Sequence, residues 1–127
     1  MKLTRLMLLF FIGVGLITPI SAQNAQLRMS MDEAQDARDD LEDALNAKDP
    51  AKTGQALDKL TKVILEAKTF WAGQKQADIV KLADNALAAS SEIGKMAAAK
   101  GDPKPAFKKL ELACQQCHDL HPENRLK

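Results

Sequence analysis

The chain holds no tyrosine, one tryptophan, four phenylalanines and two cysteines in 127 residues. Two cysteines cannot build the multiple bridges that hold small disulfide-rich domains together. β-Branched residues are sparse and no stretch alternates as a half-buried strand does, which argues against a sheet protein. Charge of either sign is not in excess, with 18 basic against 17 acidic side chains, so a basic footprint for nucleic acid is missing. No Ser, His and Asp set and no carboxylate pair with an evident role points to catalysis, and no enzymatic activity is expected. Long apolar runs are also missing, save one over residues 6–17, shorter than the roughly 20 residues a membrane span requires.

Lys2 and Arg5 precede that run and Thr18-Pro19-Ile20-Ser21-Ala22 follows it. This is the order of a secretory signal peptide cleaved after Ala22. Residues 1–22 are therefore expected to be removed, leaving 23–127 as one small, exported, soluble domain in the periplasm, with no membrane span after cleavage. No cysteine stands at the cleavage site to carry a lipid. Removal takes two of the basic side chains and none of the acidic ones, so the balance turns slightly acidic. The aromatics that remain are Phe70, Trp71 and Phe107, and the core is short of large side chains.

What is present is helical periodicity. It predicts a first helix over residues 28–47, with Leu27, Met31, Ala34, Leu41 and Leu45 on one stripe and Asp32, Glu33, Asp36, Asp39, Asp40 and Asp43 away from it. Asp49-Pro50 supplies an N-cap and a proline at the first helical position, starting a second helix over 50–71 with Gly54, Leu57, Leu60, Ile64 and Ala67 inward. A turn around Gly73 leads to a third helix over 75–100. It carries Ile79, Leu82, Ala86, Ala89, Ile93 and Met96 on one side and is expected to be the most buried. Gly101-Asp102-Pro103 repeats the stop, cap and restart. The fourth helix, over 103–120, then turns Phe107, Leu110, Cys114, Cys117 and His118 inward before Pro122 ends it. Short connections make successive helices antiparallel neighbours, so the expected fold is all-α, an antiparallel up-down-up-down four-helix bundle.

Within the fourth helix, Cys114-Gln115-Gln116-Cys117-His118 has the spacing of a c-type haem attachment sequence. Two thiols reach two vinyl groups on one porphyrin edge, and the imidazole one residue later reaches the iron. On a helix, Cys114 and His118 stand one turn apart on one face with Cys117 beside them. A disulfide between helical i and i+3 positions rarely meets the required torsion, and a thioredoxin-like pair needs a strand leading into its helix. Zinc has four candidate ligands in Cys114, Cys117, His118 and His121, but a turn and a half of helix does not wrap a tetrahedron. The residues therefore point to one covalent haem c near the C-terminal helix, whose porphyrin would supply the bulk that the aromatic-poor core lacks.

Four helices with Cys-Gln-Gln-Cys-His in the last resemble the class II c-type cytochromes, the cytochrome c-prime group and its low-spin electron-transfer relatives. The resemblance covers essentially the whole chain after residue 22 and is specific at the haem motif. It implies that the first helix supplies the residue facing the iron opposite His118, a position that falls on Met31. Met29 lies about 160° round the same helix, and Met96 belongs to the third. Iron held by His118 and Met31 has the pairing that raises reduction potential in electron carriers. The implied function is a mono-haem electron carrier serving redox partner proteins, as a monomer or a homodimer. If Met31 only packs nearby, the resemblance implies a five-coordinate protein that binds nitric oxide or carbon monoxide. If no haem is attached, the chain reads as an exported helical bundle with a structural or metal-binding role. In cytochromes c-prime a basic residue commonly sits four after the ligand histidine; Pro122 stands there, with Arg125 as the nearest substitute. His121 is expected to cap its helix or to meet a propionate, and Arg38 to snorkel or do the same. Trp71 is expected to pack in the core. The acidic face of the first helix and Lys104, Lys108 and Lys109 of the fourth are the surfaces that would steer a partner.

Overall fold

The computed structural model describes residues 20–120, and among them every regular element is an α-helix. These are α1 (Ile20–Asn46), α2 (Pro50–Gly73), α3 (Ala77–Ala98) and α4 (Lys104–Leu120). Most of the expected leader, together with His121, Pro122 and Arg125, lies outside the described residues. The start of α1 precedes the expected one because no glycine or proline stands between Ile20 and Arg28 to break it. No helix among the described residues is long and apolar enough to cross a membrane.

The helix starts follow from their caps. Asp49 accepts a hydrogen bond from the Lys52 N–H at 3.0 Å with Pro50 at the first helical position, which satisfies an amide that the helix itself leaves unpaired. Asp102 accepts from the Lys104 N–H at 3.1 Å, and α4 opens one residue after Pro103. At the start of α3, Gln76 gives no side-chain cap. Asp78 in the first turn instead accepts from the Ile79 N–H at 2.8 Å and sits at the positive end of the helix dipole.

The helix ends use one device three times. Lys48, Lys75 and Lys100 take left-handed backbone, with φ of 53°, 57° and 56°. The residue after each donates back across the last turn: Asp49 to the Ala44 carbonyl at 2.9 Å, Gln76 to Trp71 at 3.0 Å, and Gly101 to Met96 at 2.8 Å. This is the Schellman closure, normally made with glycine at the left-handed position. Gly73 and Gly101, expected as the turn residues, do not fill that role; no glycine among the described residues has positive φ.

Close backbone packing joins α1 to α2, α2 to α3 and α3 to α4. Polar pairs cross the same seams. Ser30 donates to Glu66 at 3.0 Å, and Lys59 pairs with Asp40 at 3.6 Å. Lys68 pairs with Asp84, and Lys109 with Glu92 at 3.0 Å. Between α4 and α1, Arg38 donates to Glu111 at 3.1 Å.

The core runs through all four helices, from Ala37 and Leu41 through Leu60, Ala89 and Ile93 to Phe107 and Leu110. Half of its buried members are alanines, so the helices approach closely and Leu41, Ile93 and Leu110 are wholly closed off. Each such leucine or isoleucine contributes about 1.5–3 kcal/mol. Two expectations from periodicity are corrected. The inward face of α2 is Thr53, Ala56, Leu60, Val63 and Ile64, with Gly54 exposed and Leu57 half-buried. Nor is α3 more buried than its neighbours, since Leu82 is half-buried and Met96 exposed. Hydroxyl residues account for part of the difference: Thr53 donates to the Asp49 carbonyl at 2.7 Å and Ser90 to the Ala86 carbonyl at 2.9 Å. Both are buried without an unsatisfied polar atom, at positions that a pattern of apolar letters passes over.

Candidate functional site

The inward face of α4 closes over Ala106, Phe107, Leu110 and Ala113 and then opens. Cys114, Cys117 and His118 continue that face half-buried, while Gln115, Gln116 and Asp119 between and beyond them are exposed. The helical period alone sorts them: the motif's two spacer residues fall on the solvent side. Cys114 packs against the edge of the core. Both thiols are unbonded, as the separation of helical i and i+3 positions requires.

Burial pushes the Cys114 thiol up from its ordinary range; the Arg38 cation opposes this and Glu111 adds to it. Cys117 is pushed further, to about 11, by burial first and then by Cys114 and by Asp78 of α3. At neutral pH the pair is therefore held as two protonated thiols, the less reactive form. Arg38 is held firmly as a cation, chiefly by the hydrogen bond it donates to Asp39, with Asp39, Glu111 and Glu42 adding favourable charge.

On α1, Met31 is half-buried and Met29 is 55% exposed, the opposition that two residues of helix impose. Leu27 and Ser30, beside Met31, are buried. Cys114, Cys117 and His118 thus share one face of α4, and Met31 stands on a different helix. A hydrogen bond from Arg38 to Glu111 joins those two helices. Arg38 was legible as a residue on the inner edge of α1, but its partner, 73 residues on, carries no signal in the sequence.

The other helices also lose cover over part of their length. On α2 the buried positions end with Ile64, leaving Ala67, Phe70 and Trp71 half-buried. On α3, Val80, Leu82 and Ala83 are half-buried, although Ile79 is closed. Phe70 and Trp71 meet edge to face, with ring centroids 5.1 Å apart. A cleft of about 450 Å³ opens between α1 and α2, lined by Leu27, Ser30, Glu66 and Phe70 among others. Among the described residues no three His, Cys, Asp or Glu side chains gather as a metal cage.

Comparison with protein families, curated proteins and solved structures finds no match to this chain.

Proposed function

We propose that the chain is a mono-haem c-type cytochrome that carries electrons in the periplasm, folded as an up-down-up-down bundle. Cys114 and Cys117 would hold the haem, and His118 and Met31 would ligate its iron. The donor set fits that group: two unbonded, protonated thiols stand three residues apart with an imidazole directly after the second. The half-buried apolar side chains around them are surface that a porphyrin would cover.

The Arg38–Glu111 bond carries this reading. Across the α1–α2 seam, Ser30 meets Glu66 while Asp40 meets Lys59. Across the α2–α3 seam, Leu57 lies against Gly94 while Lys68 meets Asp84. Partner numbers fall as residue numbers rise, as they do between helices of opposite direction, and connections of a few residues call for the same. With α1 and α4 also opposed, Arg38 and Glu111 mark one level of the bundle. Seven residues back along α1 is Met31; seven residues on along α4 is His118. Each step is about 10.5 Å of rise and returns to within about 20° of the same face. The thioether and the imidazole then come to one level, facing the same seam.

Haem c supplies one reversible electron step between ferric and ferrous iron. The chain's residues supply the rest. Cys114 and Cys117 would anchor the group to α4, and His118 and Met31 would both ligate its iron, which would keep small ligands out. The half-buried setting of Cys114, Cys117 and His118 would keep the group within reach of partner proteins.

Spectroscopy of the full chain made in cells that attach haem c tests this. Intact mass after denaturation is expected to show one covalent haem and cleavage after Ala22. The ferric protein is expected to be low spin with a methionine-to-iron charge-transfer band that Met31→Ala abolishes. A high-spin wild-type protein that takes up carbon monoxide sinks the carrier reading and favours gas binding. Absence of covalent haem rejects both and leaves the haem-free bundle.

A further inference from the structure

We propose that the Arg38–Glu111 pair is a positioning clasp: it fixes the level of α1 against α4 and thereby holds Met31 opposite His118. The inference rests on the proposed axial pairing and adds two residues to it. Among the described helices, close backbone packing runs between consecutive members. The seam between α1 and α4 therefore depends more than the others on side chains.

Arg38 is built for that role. It branches to two acids, the neighbouring Asp39 on its own helix and Glu111 on α4. Asp39 holds the guanidinium in place, so its second arm reaches across the seam at a set height. A planar guanidinium with fixed donor directions defines position better than a lysine would. Glu111 lies one turn before Cys114 on α4. The clasp consequently grips α4 next to the first attachment residue, and the Arg38 charge is felt at the Cys114 thiol. Both partners are more than a third exposed, and an ion pair of that kind adds little to stability. Its worth lies in register: a slip of one helical residue moves Met31 by about 1.5 Å along the axis and 100° around it, enough to lose the iron.

Arg38→Ala and Glu111→Ala, made in the haem-loaded full chain, test this. Both are expected to keep covalent haem and near-wild-type melting, yet lose much of the methionine charge-transfer band, gain high-spin signal and bind carbon monoxide several-fold faster. Arg38→Lys is expected to fall between them and wild type. Lys59→Ala, which removes a comparable pair on the α1–α2 seam, is expected to leave the spectra unchanged. If Arg38→Ala and Glu111→Ala keep the wild-type spectrum, or if Lys59→Ala alters it equally, the clasp is overturned.

A readout independent of axial ligation separates this failure from that of the carrier reading. In carbon monoxide-bound ferrous protein, diamagnetic whatever the native sixth ligand, nuclear Overhauser contacts between the methyl groups of Ala34 or Ala37 on α1 and Leu110 or Ala113 on α4 report the register. Contacts that shift in Arg38→Ala support the clasp even if Met31 proves not to bind iron. Contacts that are unchanged overturn it.

Discussion

From Ala106 to Ala113 the inward face of α4 is shut to solvent, whereas from Cys114 to His118 the same face is half open. The shut length is made of alanine and leucine against alanine and isoleucine, small and branched shapes that let helices approach and exclude water. The half-buried positions are thiols and an imidazole on α4, a thioether on α1 and the Phe70–Trp71 pair on α2, groups that have chemistry but do not close a core. The helices thus hold the fold over some lengths and stay incompletely packed over others. Tight packing in the first stretch is what lets the second remain incompletely packed.

That division breaks if both stretches respond alike to truncation. In chain made without haem, Leu110→Ala is expected to lower unfolding stability by about 3 kcal/mol, read from urea denaturation. Met31→Ala, at a half-buried site, is expected to lower it by about 1 kcal/mol or less. Equal losses would erase the distinction. A smaller effect sharpens it from the side of the backbone: Asp49→Ala removes the cap of α2 and is expected to remove about 1 kcal/mol, without altering any haem spectrum.

The smallest effect at neutral pH concerns the thiols. In the unfolded chain a thiol ionises near its ordinary value of about 8.5, while folded Cys117 keeps its proton to about 11. Its contribution to stability is therefore whole below the unfolded value and is lost as pH climbs through that window. In haem-free protein, alkylation of Cys117 followed by mass spectrometry is expected to accelerate along a curve centred near 11. A midpoint near 8.5 would show that the site is open to water in the way that Gln115 and Gln116 are.

Asp49-Pro50 announced the start of α2 and the structure places its cap there; the all-helical character followed equally directly from periodicity. The Cys-x-x-Cys-His spacing was legible because covalent chemistry confines it to five consecutive residues. The inward face of α2 was misread because Thr53 counts as polar in a sequence, while in the helix its hydroxyl is satisfied by the Asp49 carbonyl. Arg38 and Glu111 are separated by most of the chain, and no local rule joins them; only the packing of four helices brings them together. For the same reason, Met31 can be named from its place on a helix stripe but its level against α4 cannot.

The three lysines in left-handed backbone have a wider consequence. A side chain there is disfavoured by about 1–2 kcal/mol relative to glycine, and a cation near the negative end of a helix dipole returns about 0.3–1 kcal/mol. The second offsets only part of the first, so Lys48, Lys75 and Lys100 are positions where charge can be exchanged for backbone ease at no loss of stability. In a chain whose positive and negative groups almost balance, replacing three lysines with neutral residues shifts the net charge by three, more than the whole imbalance. The molecule's long-range electrostatic field can therefore be retuned at its corners, leaving every helix as it is.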